Sequence, residues 1–311
     1  MAIRDKQTEF DLALHRVPGI SASLNFELLR IFGDAERTLL ASETELRRVP
    51  GITGKILNRI RNPDWHGVEQ DMLWLDQDGH GLLSYRDNGY PALLKEIHDP
   101  PVLLFINGIP EVLNRPQVSM VGSRRPTAAG KQISRTLAGD LARKNLVITS
   151  GLATGIDSMC HTGALDAGGV TVAVLGNGLD QIYPSQNQQL AEAIIDNGVI
   201  ISEYPVGTRP LKHHFPARNR IISGLSMGTV VIEAAKRSGS LITARFAAEQ
   251  GREVFAVPGS ILNPMSEGCH WLIRQGAKLT EAAKDVTEEL TVYGVITGSE
   301  PEMPDDASFS P

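Results

Sequence analysis

The sequence predicts an α/β fold: a doubly wound, mainly parallel sheet with a small helical domain before it. Three observations carry this. From residue 102 onward, short and nearly continuous apolar runs recur as "VLLFING", "VSMVGS", "LVITSG", "VTVAVLG", "GVIISE", "GTVVIEA" and "EVFAVPG". Helical stretches lie between most of them, at 127–144, 155–168, 186–197 and 240–250. Strands that are apolar on both faces and alternate with helices belong to a sheet covered by helices on both sides.

Residues 1–61 read instead as short helices, with Leu24, Leu28, Ile31 and Phe32 at helical spacing. Within them Val17-Pro18-Gly19-Ile20 and Val49-Pro50-Gly51-Ile52 repeat one turn signal at an offset of 32. A glycine turn between two short helices resembles a helix-hairpin-helix, whose turn can offer N–H groups to a phosphate. It also suits an ordinary bundle turn, and one sequence leaves both readings open. Residues 62–100 are expected as a connector, punctuated by Asn62-Pro63, Asp78-Gly79, Asn88-Gly89 and Asp99-Pro100-Pro101 and pinned by Trp65, Trp74 and Tyr85. The sheet domain then occupies 101–294, and 295–311 is an acidic, Pro-punctuated tail expected to be disordered.

With 311 residues the chain is long enough for two domains, and 41% apolar residues are enough for a core. Thirty Lys and Arg against 36 Asp and Glu argue against a protein that coats nucleic acid indiscriminately. A local basic groove is still allowed, since a surface field depends on where charges sit. Cys160 and Cys269 are isolated in sequence, so neither a disulfide framework nor a structural zinc is expected, and a cytoplasmic setting fits. No signal peptide and no membrane-spanning run is visible, so no membrane role is expected.

In an open α/β sheet, ligands bind beyond the carboxyl ends of the strands. That rule collects Gly122, Ser123, Arg124 and Arg125 after "VSMV", and Gly151, Gly155 and Asp157 after "LVIT". It also collects Ser238 and Gly239 after "GTVVIE". The segment 209–220, "RPLKHHFPARNR", adds Lys212, Arg218, Asn219 and Arg220 among four Lys/Arg, two His and no acid. Small residues let a ligand approach closely, and arginine recognises phosphate in a bidentate manner. Converging on one sheet edge, these segments make a cationic groove on an acidic protein. Few aromatics lie near them in sequence, so binding is expected to lean on phosphate more than on stacking.

Sharper motifs fail. Gly122 and Gly130-Lys131-Gln132 are wrongly spaced for a P-loop, and Gln132 replaces its metal-binding hydroxyl. Gly176-Asn177-Gly178 lacks the third glycine of a dinucleotide fingerprint, where Gln181 stands. Cys160-His161 are helix neighbours facing different ways, so Cys160 is expected as a buried small hydrophobe. No histidine spacing suits a metal. Neither a catalytic constellation nor a cofactor is expected.

Several segments, in this order, carry a family resemblance: "VGSRRPTAAG", "ITSGLATGIDSMCHTGAL", "LGNGLDQIYPSQN", "HHFPARNRIISGLS", "VVIEAAKRSGSLITARFAAEQGREVFAVPGS" and "GCHWLIRQGA". They resemble the DprA/Smf family, the DNA-processing proteins of bacterial transformation. The resemblance covers most of 100–290. It implies an extended Rossmann-like fold that binds single-stranded DNA, loads the RecA recombinase, dimerises through that domain and catalyses nothing. It implies a sterile-alpha-motif-like N-terminal domain. It also implies DNA roles for Arg124 in a Gly-Ser-Arg turn and for Arg218, Asn219 and Arg220 in an Arg-Asn-Arg turn, with Gly151–Asp157 completing the pocket. The chain departs from relatives at Ser185, often basic, and at His270, usually asparagine. The winged-helix-like C-terminal domain of many relatives is expected to be absent or removed here. Two other classes compete: a nucleotide hydrolase of the lysine-decarboxylase-like (LOG) type, suggested by Gly228-Thr229 and Glu233, and a structural adaptor using the helical N-terminus.

Overall fold

The computed structural model describes residues 5–291, so the expected acidic tail lies outside the described residues. Six helices open the chain: α1 (Lys6–His15), α2 (Ala22–Phe32), α3 (Ala35–Leu40), α4 (Glu43–Leu46), α5 (Gly54–Arg61) and α6 (Trp65–Leu75). Each begins after a residue whose side-chain oxygen accepts a free backbone N–H, namely Asp5, Ser21, Asp34, Ser42, Thr53 and Asp64. Ser42 and Glu45 complete a reciprocal capping box. The repeated turn is one structure twice over, since Gly19 and Gly51 both take positive φ, 98° and 92°.

A single sheet of nine strands follows: β1 (His80–Ser84), β2 (Leu103–Gly108), β3 (Gln117–Val121), β4 (Val147–Ser150), β5 (Thr171–Leu175), β6 (Val199–Ser202), β7 (Gly228–Val231), β8 (Glu253–Ala256) and β9 (Lys278–Leu279). Their order is β1-β2-β6-β5-β4-β3-β7-β8-β9. From β6 across to β9 every pairing is parallel, while β1 and β2 add an antiparallel edge. The chain reverses its direction of sheet growth between β3 and β7. Every residue of β3 to β7 is buried, as strands covered on both faces require. The covering helices are α7 (Ala92–Lys95), α8 (Ala128–Arg143), α9 (Ile156–Asp166), α10 (Gln188–Asn197), α11 (His214–Gly224), α12 (Ser240–Glu249), α13 (Glu267–Arg274) and α14 (Ala283–Thr291).

The helical layer has no core of its own. Leu12, Leu28, Leu46 and Ile60 share one buried cluster with Leu103, Phe105, Ala173 and Leu175 of the sheet. Leu104 and Ile106, alternate residues of β2, point into the opposite cluster with Val172, Val174 and Ile221. Polar contacts fix the join. His15 Nε2 meets the Glu203 carbonyl at 2.8 Å, and buried Asp71 accepts the Val206 N–H at 3.0 Å and an Arg16 nitrogen at 2.7 Å.

The strands from 102 to 256 and the four anticipated helices lie where the sequence places them. Residues 62–100, expected as a connector, hold α6, the edge strand β1 and α7. Their turn signals bracket elements of only 11, 5 and 4 residues, too short to announce a period.

Candidate functional site

Three loops and one helix meet beyond the carboxyl ends of β3, β4 and β5. They enclose a small pocket of about 60 Å³ lined by Arg124, Gly151, Ala153, Thr154, Tyr183, Pro184, Phe215 and Arg218. The loop after β4 is held in an unusual shape. Leu152, a buried non-glycine residue, takes φ 53°, and its carbonyl accepts the Asn187 side-chain N–H at 2.8 Å. Gly155 takes φ 87°, where a side chain would strike the Ser123 carbonyl. Ser123 is bound in turn, donating its N–H to the Glu233 carbonyl at 2.8 Å and accepting that of Ile156 at 3.1 Å.

Arg218 forms the floor. It projects from α11, is 3% exposed, and donates through Nη1 to the Val174 carbonyl. Its Nε is buried without a partner. Gly151 is what lets it lie there, because a Cβ at 151 would overlap the guanidinium. Asp157, 7% exposed in the first turn of α9, is the nearby countercharge, yet it forms no ion pair with Arg218 within 4.0 Å and accepts the Ala153 N–H instead. Burial raises the Asp157 carboxyl above its ordinary value, against the pull of the Arg218 charge. Burial likewise lowers Arg218, to about 10, so it remains a cation at neutral pH. A buried cation with an unmet donor is costly unless an anion or carbonyl arrives.

Arg124 stands at the rim, exposed, with its guanidinium 5.3 Å from the centre of the Phe215 ring. Tyr183, 44% exposed, lies 5.7 Å from Phe215 with the rings tilted by 36°. Aromatics therefore do reach the site, unlike the expectation drawn from their scarcity nearby in the sequence. They come from residues 183 and 215, remote from each other along the chain, and only the tertiary fold joins them. The pocket thus offers two cations for phosphate and two ring faces for a base.

The other anticipated residues divide. Gly122 and Ser123 support the pocket from behind, and Arg125 is exposed beside Arg124 with its N–H bonded to Ser123 Oγ at 3.0 Å. Lys212 is exposed on the approach to α11, and Asn219 is half-buried outside the pocket lining. Arg220 is elsewhere. The "Arg-Asn-Arg turn" is a helix, and two residues are roughly 200° apart on a helix, so Arg220 faces away from Arg218. Its guanidinium grips both Glu203 oxygens at 2.9 and 2.6 Å and the Asp99 carbonyl at 2.9 Å, leaving it committed to the fold. Ser238 and Gly239 end the loop after β7, the neighbour of β3, and Ser238 Oγ bonds Ser240 Oγ at 2.7 Å.

At the chain reversal between β3 and β7, the usual ligand crevice of such sheets is filled. The Glu233 carboxylate takes both the N–H and the Oγ1 of Thr127, at 2.9 and 2.6 Å, at the start of α8. Cys160 is fully buried, and burial raises its thiol far above reactivity. His161 is fully buried too, held by Thr171 Oγ1 at 2.6 Å and lowered by burial to about 3, so it stays neutral. Among the described residues no cluster of three His, Cys, Asp or Glu fits a metal, and no helix is long and apolar enough to cross a membrane.

Fold and site together define a Rossmann-like α/β protein whose strand-end pocket is lined by two arginines, displaced from the plugged crevice toward β4 and β5. The chain belongs to the family described as DNA recombination-mediator protein A, whose model matches residues 81–291. Protein Smf of Escherichia coli (strain K12) is 44% identical over 262 residues, which span 84% of this chain and 69% of that protein. DNA processing protein DprA of Streptococcus pneumoniae (strain ATCC BAA-255 / R6) is 51% identical over 207 residues, 66% of this chain and 73% of that one. Among solved structures, S. pneumoniae DprA superposes with a TM-score of 0.79 at 38% identity, covering 90% of this chain and 97% of that one. DNA processing protein A of Helicobacter pylori, whose structure was described for its single-stranded DNA binding mode, superposes with a TM-score of 0.62 at 32% identity, covering 69% and 96%.

Proposed function

We propose that this chain binds single-stranded DNA at the Arg124–Arg218 pocket and acts as a recombination mediator in DNA processing. One observation carries the reading: Arg218 lies buried on the pocket floor with its Nε unpartnered and its countercharge out of contact. A phosphate entering past Arg124 supplies the missing acceptor, and a base turned onto Tyr183 and Phe215 covers the rim. At about 60 Å³ the pocket is too small for a duplex; it has room for one phosphate group of a single strand, with the base left at the rim. The single-stranded DNA binding mode described for the Helicobacter pylori relative supports the same ligand class.

Family membership supports the finer parts of the proposal: loading of the RecA recombinase, a role in natural transformation, a homodimer built through the Rossmann-like domain, cytoplasmic action, and mediation without catalysis. The domains would then divide the work, with 101–294 carrying DNA and partners. The test is a titration of labelled single-stranded and blunt duplex oligonucleotides at several salt concentrations. Single strands should bind tighter, with a salt slope of about −0.7 for each phosphate held. Equal or tighter binding of duplex at physiological salt would sink the reading.

A further inference from the structure

The two Val-Pro-Gly-Ile turns share a sequence and a backbone shape, but only the second carries surplus charge. Residues 47–63 hold five basic residues, Arg47, Arg48, Lys55, Arg59 and Arg61, with no acid and no aromatic. The equivalent stretch after the first turn is close to neutral. The cations are therefore not what the turn needs in order to form.

All five are exposed, on α5 and the turn before it, while Ile56, Leu57 and Ile60 on the other face of α5 are buried. Their neighbours fix three of them without neutralising two. Arg59 donates to the Pro18 carbonyl at 2.7 Å and Arg61 to that of Ala41 at 3.3 Å, both uncharged acceptors. Among the described residues Arg47 is the one of the five in an ion pair, with Glu43 at 2.6 Å, while Arg48 lies close enough to Glu45 for their charges to interact. Arg48 and Lys55 form no ion pair within 4.0 Å among the described residues. In front of Gly54, next to Lys55, a Cβ would meet nothing within 4 Å, so a bulky ligand can reach the backbone there.

We propose that this strip is a second DNA surface, one that holds the phosphate backbone of a duplex adjoining the single strand. From the preceding reading it takes only that the ligand is DNA; the residues are different. The choice of duplex follows from what the strip lacks. Without aromatics it has nothing on which to stack unpaired bases. With its apolar residues turned inward it has nothing to insert into a lipid surface. What remains is a cluster of cations on and beside a rigid helix, with Lys55 and Arg59 one turn apart on the same face of α5, which suits phosphates read without regard to sequence.

The experiment compares three labelled DNAs: a short single strand, a blunt duplex, and a duplex carrying the same single strand as an overhang. The overhang substrate should bind on the order of tenfold tighter than the single strand alone, through the added phosphate contacts. In the double variant Arg48→Gln/Lys55→Gln that gain should vanish, and the salt slope on the overhang substrate should fall by about 1.8, the B-DNA value for two phosphates. Single-strand affinity should not move. Gln keeps the helix, and circular dichroism with melting verifies it; Lys55→Gln alone, with half the loss of slope, serves if the double variant is unstable. A folded variant with wild-type affinity and slope on the overhang substrate overturns the proposal, as does an equal loss on the single strand. Competition by polyglutamate as strong as by duplex of equal charge also overturns it, assigning the strip to an acidic protein. If wild type fails to bind single strands yet duplex binding falls in the variant, the strip stands and the pocket reading falls.

Discussion

Gly151 and Arg218 occupy complementary space: the guanidinium of Arg218 fills the volume that a side chain at 151 would need. The pair comes from different elements, the end of β4 and the middle of α11, so each sets the other's conformation. Gly151→Ala should force Arg218 off the Val174 carbonyl and out of the floor. Overpacking of this kind costs roughly 1–3 kcal/mol of stability. Single-strand affinity should drop alongside it, and melting with fluorescence anisotropy would read both. A stable Gly151→Ala protein with wild-type affinity would show that Arg218 has no part in binding.

Arg220 makes the opposite prediction. It holds Glu203 in a two-point contact with only 11% and 18% of the two side chains exposed. Removing one member of a buried pair costs roughly 3–5 kcal/mol, with the lower end fitting the partial exposure of Glu203. Arg220→Ala should therefore unfold at much lower urea, and adding Glu203→Gln should restore part of the loss in a double-mutant cycle. Whatever folded protein remains should bind single strands as wild type does. A stable Arg220→Ala protein that no longer binds would return Arg220 to the DNA surface.

Asp71 gives a pH signature. Burial pushes its carboxyl up to about 6 from 3.8, although Arg16 and the Val206 N–H pull the other way. The folded protein thus binds this proton more tightly than the unfolded chain does. The stability it contributes is fully present below the unfolded value and is lost as pH rises through about 6. Measured against Asp71→Asn, wild-type stability should decline between about pH 4 and pH 6 and stay level above that. Urea midpoints across that range check the sign. A difference that grows with pH would mean Arg16 outweighs burial.

Strands β2 to β8 are legible in the sequence because burial on both faces demands unbroken apolar runs, as in Val172, Val174 and Leu175. The edge strands are not. β9 is two exposed residues and β1 is half-buried throughout, so neither needs such a run. The site is legible to the extent that strand ends mark it: Arg124, Gly151 and Gly155 all follow from topology. Tyr183 and Phe215 do not, since their meeting depends on how two distant segments close. Arg218 and Arg220 look alike in sequence, and only the helical phase of α11 separates the pocket cation from the structural one. That helix opens on His214, Phe215 and Pro216 and has a weak apolar period, so the sequence does not announce it, and the resemblance alone implies a turn there.

Arg124→Ala, set beside Arg37→Ala, isolates binding from folding. Arg124 is exposed, its side chain at the edge of the pocket over Phe215, and among the described residues no carboxylate lies within ion-pair distance of it. Removing it leaves no buried group unpaired, so melting should stay at the wild-type value. If it holds one phosphate, the loss should be about 1.5–3 kcal/mol of single-strand affinity, the range for a hydrogen bond to a charged group. The slope of log K against log salt should shrink by about 0.7, the single-strand value for one contact. Arg37 is also exposed, paired with Asp34 at 3.4 Å on the far helical layer, so its removal deletes equal charge away from the pocket. Arg37→Ala should change neither affinity nor slope by much. Equal effects from the two variants would mean that net charge, and not the pocket, governs binding. A folded Arg124→Ala protein with unchanged affinity and slope would place the DNA surface elsewhere and leave the glycine-ended loops as packing features.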